Sequence, residues 1–282
     1  MPLTRKIALD ATPEEVWDKV STGPGLSSWF VPHELEPRKG GYGRADFGGG
    51  TYTEGRVLEF EPGRRIALGA ERIAPDVGAE PEPETGTRLE FWVGDGDEDP
   101  EGFPGGDYRG IGDVRGRSRK PGTPRAVLYL HQEGFPDVDQ EVYEDGWDVY
   151  LHTLTEYFKH FRGKTAVCTT TLVRAPRDPQ DAFQTAVSGL GVGDASEGAE
   201  VSCNPLGREQ IEGVVDLRVS GRLEALGLRD DRGFIRVTAA PLADDAAGVT
   251  LHRYEYVADP PVELASVRDA DDWQGWLERQ YA

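Results

Sequence analysis

Two side chains in this 282-residue chain stand where acid–base chemistry could be done, and neither belongs to a recognised catalytic motif. His131 ends the strand-like stretch "PRAVLYLH", just before "GFP" and a long helical pattern. An imidazole there, with an unperturbed pKa near physiological pH, suits a general acid or base. Its plainer role is a hydrogen bond to nearby backbone. Glu54 lies in "TYTEGRVLEFEP" and shares a strand face with Tyr52, Arg56, Leu58 and Phe60 by period-two alternation. On a concave face Glu54 and Arg56 would be buried charges that pair with each other or orient a ligand. On a convex face they would be solvated. Leu58 and Phe60 tip the expectation towards concave.

Other chemistry is weakly signalled. "RGKT" at 162–165 ends like a phosphate loop, but Phe158 stands where its first glycine is required, and no G-x-S-x-G is present. His152 and His160 are too far apart along one helix to chelate an ion with His131, so no metal is expected. Asp95, Asp97 and Asp99 mimic the start of a calcium loop, but Pro100 replaces its glycine and Gly106 its bidentate glutamate. Cys168 and Cys203 cannot form a disulfide framework and read as reduced, buried thiols. No cofactor is expected.

Composition narrows the partners. Asp and Glu number 51 against 31 Lys and Arg, a formal charge of −20, which excludes the basic stripe that nucleic acid or an anionic membrane surface requires. No apolar run reaches the ~20 residues of a membrane span, and the N-terminus has no secretory core. A soluble cytoplasmic protein is expected.

The elements that must position these residues occur in an order that repeats. "LTRKIALDA" reads as a strand. "TPEEVWDKV" then opens a helix, with Thr12 as cap, Pro13 first and Glu15 completing a capping box. Further strand patterns follow, separated by Gly, Pro and acidic turns. "EDGWDVYLHTLTEYFKHFRGK" closes this run as a helix whose Trp147, Tyr150, Leu151, Leu154, Phe158 and Phe161 form one apolar face, with Gly163 as its stop. The pattern restarts with "AVCTTTLVRAP" and with "DPQDAF", where Asp178 caps and Pro179 comes first. It ends on "DADDWQGWLERQYA", a shorter closing helix. This is an internal repeat at domain scale. Of the 10 Phe, 6 Trp and 10 Tyr, only Phe183, Phe234, Tyr254, Tyr256, Trp273, Trp276 and Tyr281 follow residue 164, so a ligand cavity is expected in the first copy.

"ATPEEVWDKVSTGPGLSSWF", "EGRVLEFEPGRRI" and "LYLHQEGFP" followed by "GWDVYLHTLTEYF" resemble the helix-grip superfamily of START domains, Bet v 1-like proteins and polyketide cyclases. Within it they most resemble bacterial relatives of the Hsp90 ATPase activator C-terminal domain, over roughly residues 1–163. The resemblance implies an α+β fold in which a curved antiparallel sheet grips a long C-terminal helix over a cavity. Residues 94–124 depart from the family as an insertion, either a lid or a loop. The expected architecture is two tandem helix-grip domains, 1–164 and 165–282, the second shorter and degenerate. The expected function is to hold a small hydrophobic or aromatic molecule. Trp147, Tyr150 and Leu154 would supply the helix side, and Trp29, Tyr52, Phe60, Phe91 and Tyr129 the rest. A cyclase or dehydratase would use His131 and Glu54 as acid/base groups. The activator likeness implies a third reading, a protein-interaction role exposing an apolar patch on the second domain.

Overall fold

The local chemistry that starts a helix operates at both expected places. In the computed structural model, which describes residues 2–74, 82–83, 86–95, 100–104, 125–134, 140–242, 245–257 and 264–282, helix α1 spans Pro13–Ser21. The Thr12 hydroxyl accepts from the Glu15 amide at 3.3 Å, and the Glu15 carboxylate accepts from the Thr12 amide at 2.8 Å. Helix α4, Pro179–Gly189, begins under Asp178, whose carboxylate accepts from the Asp181 amide at 3.1 Å. Arg162 hydrogen-bonds Glu15 and ties the start of α1 to the end of the first closing helix. That bond is the largest influence holding the Glu15 carboxyl down to about 2.

The first sheet comprises β1 (Leu3–Leu9), β2 (His33–Leu35), β3 (Tyr42–Gly48), β4 (Thr51–Glu61), β5 (Arg65–Ala74), β6 (Glu82–Pro83), β7 (Arg88–Gly94) and β8 (Ala126–Glu133). Its antiparallel order is β1-β8-β7-β5-β4-β3-β2, with β6 beside β5. The short helix α2 (Gly23–Ser27) leads into β2. Helix α3, Gln140–His160, lies on the inner face of this sheet, and Gly163, at φ +80°, follows its end. The second sheet holds β9 (Thr165–Ala175), β10 (Glu200–Cys203), β11 (Ile211–Val219), β12 (Glu224–Asp230), β13 (Gly233–Pro241) and β14 (Ala247–Val257). Its antiparallel order is β10-β11-β12-β13-β14-β9. Helix α5, Leu264–Arg279, and α4 cover one face of it, where Trp273, Trp276, Leu277 and Phe183 pack with Leu226, Ile235, Val237 and Leu251. The chain is therefore α+β, with a sheet and a long closing helix occurring twice. No helix among the described residues is long and apolar enough to cross a membrane.

The other face of the second sheet lies on α3. Trp147, Leu151, Leu154 and Phe158 share a core with the first sheet, and that core continues into Phe234, Tyr254 and Tyr256 of β13 and β14. Val149 packs on Leu223 and Ala225. Phe161 stacks on Tyr256, with ring centroids 4.5 Å apart. A polar seam runs through the contact. Arg236, 1% exposed, makes a two-pronged ion pair with Asp216 at 2.8 Å on both arms and donates to the Thr153 hydroxyl at 2.9 Å. His152 adds a contact to Asp216 at 3.3 Å. His252 sits between the Tyr150 and Thr170 hydroxyls at 3.3 and 3.0 Å. Arg236 and His152 together hold the Asp216 carboxyl well below its usual range despite burial. Cys168, free like Cys203, is pushed up to about 12 by burial and stays a thiol.

Two outcomes follow from this seam. Arg236→Met leaves Asp216 buried without its main partner, so chemical denaturation should show a loss of about 3–5 kcal/mol, with D216L/R236M recovering part of it. Burial holds His252 down to about 3. In the unfolded chain this imidazole takes a proton below about 6.5, and in the folded chain it does not. Stability from this group is therefore complete above pH ~6.5 and falls on acidification, at up to about 1.4 kcal/mol per pH unit. Denaturation between pH 7 and 5 should show a slope that His252→Gln lessens by that amount.

Candidate functional site

Between α3 and the inner face of the first sheet lies a cavity of about 350 Å³. It exists because the strand positions facing the helix are small. Gly43 and Ala45 on β3 and Ala70 on β5 line it, where larger side chains would fill the grip. Phe30, Leu35, Phe47, Leu68, Ile73 and Leu89 supply apolar wall, and Tyr143 and Trp147 close it from the helix. Trp147 is fixed there because its indole N–H donates to the Gln132 side-chain oxygen at 2.6 Å. Its ring lies 4.8 Å from that of Phe30. The backbone carbonyl of Phe30 accepts from the Tyr254 hydroxyl, and that of Ser28 from Tyr256 at 2.6 Å, so the second sheet braces this wall from behind.

The polar side chains of the cavity are few. His33 lines it from β2, with Nδ1 2.7 Å from the Val31 carbonyl oxygen. A carbonyl oxygen only accepts, so Nδ1 carries the proton and Nε2 presents a lone pair. Burial is the largest influence on this imidazole and holds its pKa down to about 4, so it is neutral at pH 7. The hydroxyl oxygen of Thr51, also in the lining, is buried and has no hydrogen-bond partner among the described residues. The Thr87 hydroxyl donates to the Gly134 carbonyl at 2.9 Å. Among the described residues no group of His, Cys, Asp and Glu is arranged to hold a metal ion.

The structure corrects the placement of both acid–base candidates. Glu54 borders the cavity, yet its side chain lies on the outer face of β4. It pairs there with Arg44 at 3.6 Å and Arg72 at 3.4 Å and accepts from the Tyr42 hydroxyl at 3.2 Å. Arg44 is next to the buried Ala45 on β3, so the two side chains point to opposite faces. The reason is a β-bulge. Val57 pairs with Leu68 and Glu59 with Ala67, leaving Leu58 as an extra residue that reverses the alternation. Phe60 therefore points inward, 5.7 Å from the Trp17 ring, while Tyr52, Glu54 and Arg56 point outward. Tyr52 lies under the Arg44 guanidinium at 3.8 Å and is also among the residues that line the cavity. Arg56 pairs with Glu71 at 3.5 Å.

His131 is likewise on the outer face. Its neighbour Gln132 points inward to Trp147, and alternation turns His131 the other way, beside Phe103 and across from Glu90. It is 4% exposed, its Nδ1 has no partner among the described residues, and Nε2 lies 3.8 Å from Glu133. Tyr129 shares that outer cluster with Trp92, Val127 and Phe103. Of the other expected ligand residues, Trp147 lines the cavity. Trp29, Phe91 and Leu154 are fully buried in the core behind it, Phe60 packs on that core, and Tyr150 turns to His252. Asp97 and Asp99, which only mimic a calcium loop, and most of 94–124 lie outside the described residues.

His33 and Thr51 were not signalled by any motif. The legible trace was "GYGRA", where Gly43 and Ala45 alternate with Arg44 and leave one strand face empty.

Fold and cavity together define an α+β protein in which an antiparallel sheet and a long closing helix occur twice, with a cavity in the first copy. No family model matches the chain, and no curated protein matches it. Among solved structures it is similar to DynU16 from the dynemicin biosynthetic locus, at 14% identity and a TM-score of 0.39, over 99% of this chain and 97% of that one. It is also similar to the di-domain ARO/CYC StfQ from the steffimycin biosynthetic pathway, at 9% identity and a TM-score of 0.40, over 99% and 97%. The Aha1 dimer from Colwellia psychrerythraea matches 58% of this chain and 99% of its own at 16% identity, with a TM-score of 0.38.

With Glu54 on the outer face, Glu54→Gln should leave affinity for a cavity ligand within twofold of wild type by fluorescence titration. Its effect on stability should be below about 1 kcal/mol, as for partly exposed ion pairs.

Proposed function

We propose that the chain comprises two domains, 1–164 and 165–282, and that the first binds a small hydrophobic or aromatic molecule between its sheet and α3. The observation that carries this reading is the cavity of about 350 Å³ with a largely apolar wall and a few fixed polar groups. Its size is at the lower end of the range that small-molecule sites occupy. The second domain supports the first in this reading. Its own sheet-and-helix interior is packed with side chains, and its outer face braces α3 and Phe30. The cyclase or dehydratase alternative is less well supported, because Glu54 and His131 both turn away from the cavity and no other carboxylate among the described residues lines it.

The test is a titration of the full chain with the neutral fluorescent probe N-phenyl-1-naphthylamine. Wild type should bind one equivalent. Gly43→Val and Ala70→Leu place side chains in the cavity and should each weaken binding at least tenfold while the melting temperature stays within a few degrees. A Cβ at Gly43 meets only Leu35, at 3.5 Å, so the fold accommodates the first of these changes. Binding unaffected by both substitutions would remove the cavity as the site.

A further inference from the structure

The cavity carries information about the charge and hydrogen-bonding character of its occupant. Its one imidazole, His33, is locked by the Val31 carbonyl into the form that offers Nε2 as an acceptor. No partner for that nitrogen is present among the described residues. The buried Thr51 hydroxyl, also in the lining, has no hydrogen-bond partner among the described residues. A buried hydroxyl is usually satisfied, so Thr51, together with the open acceptor of His33, points to a group supplied by something bound there.

The cations around the cavity do not serve it. Arg44 and Arg56 border it through their strands, but their guanidinium groups lie on the outer face, matched by Glu54 and Glu71. Burial keeps His33 neutral. An anionic ligand would therefore lose its hydration and meet no countercharge, a large penalty for a carboxylate or phosphate. A purely apolar ligand would leave Nε2 and the Thr51 hydroxyl unpaired.

We infer that the cavity selects a neutral aromatic ligand bearing an O–H or N–H donor, seated so that this donor meets Nε2 of His33, and that it rejects carboxylates and phosphates. His33 is then the specificity-determining residue of the site. This rests on the binding function proposed above and adds the class of ligand.

Three probes of one ring system separate the two claims: naphthalene, 1-naphthol and 1-naphthoate, titrated at pH 7 against the full chain by calorimetry or Trp fluorescence. The expected order is 1-naphthol tighter than naphthalene by about five- to tenfold, the worth of one net hydrogen bond. 1-Naphthoate should be weaker than 1-naphthol by at least tenfold. His33→Phe should bring naphthol down to naphthalene, with naphthalene itself little changed. His33→Gln, which keeps an acceptor, should retain part of the preference, and Thr51→Val should reduce it. Equal binding of naphthol and naphthalene by wild type would overturn the inference and leave the cavity reading intact. Naphthoate binding as tightly as naphthol would overturn the exclusion of anions. Failure of all three probes to bind would overturn both readings. The wild-type ratios need no variant, so the test survives a His33→Phe chain that does not fold.

Discussion

The structure depends on one helix being buried from two sides. Helix α3 fills the concave face of the first sheet, and the second sheet then lies across its back. An amphipathic helix at the end of a domain ordinarily leaves its polar stripe to water. Here that stripe carries Val149, His152 and Thr153, and each finds a partner on the second sheet. Among the polar groups so enclosed, Arg236, Asp216, the Thr153 hydroxyl and His152 satisfy one another. Such a seam adds less stability than an apolar one of the same size, but it permits few alternative alignments of the two halves.

The same burial explains how a cavity persists in a well-packed molecule. An unfilled volume normally costs stability, because its lining loses packing contacts and the surrounding side chains relax into it only in part. In this chain the walls are held from outside. Phe30 is fixed through its backbone by Tyr254, Trp147 by Gln132, and Tyr150 by His252. The small residues on β3 and β5 then leave space that their neighbours cannot close. The two halves share an order of elements and differ inside. The first keeps an open grip, and the second has a filled one and presents its outer face as a brace.

Sidedness decides which residues can take part in any chemistry. Across the first sheet, Glu54, Arg44, Arg65, Arg88, Glu90 and His131 lie outside, where charged groups neutralise one another in ladders. Inside, Arg5 of β1 is matched by Asp148 and Glu144 of α3, and among the described residues the polar side chains turned into the cavity are threonines, Gln132, Tyr143 and one neutral imidazole. That partition suits recognition of an uncharged molecule.

Much of the fold could be read from the chain because it rests on local rules. The caps at Thr12 and Asp178, the stop at Gly163, the apolar stripe of α3 and the repeated order of elements all follow from residues a few positions apart. The site was legible only in part. The helix contributed Trp147 as its spacing implied, but the extra residue at Leu58 reversed the faces on which Tyr52, Glu54 and Phe60 were expected together. A bulge is set by the pairing of β4 with β5, and no alternation within β4 reveals it. The turn of Tyr150 to His252, 102 positions away, and the arrival of His33 at the cavity are of the same kind. The sequence by itself determined the elements and their order, through short-range sterics and hydrogen bonding. Tertiary structure decided which face each side chain occupies, because strand register and the stacking of one domain on the other are long-range pairings.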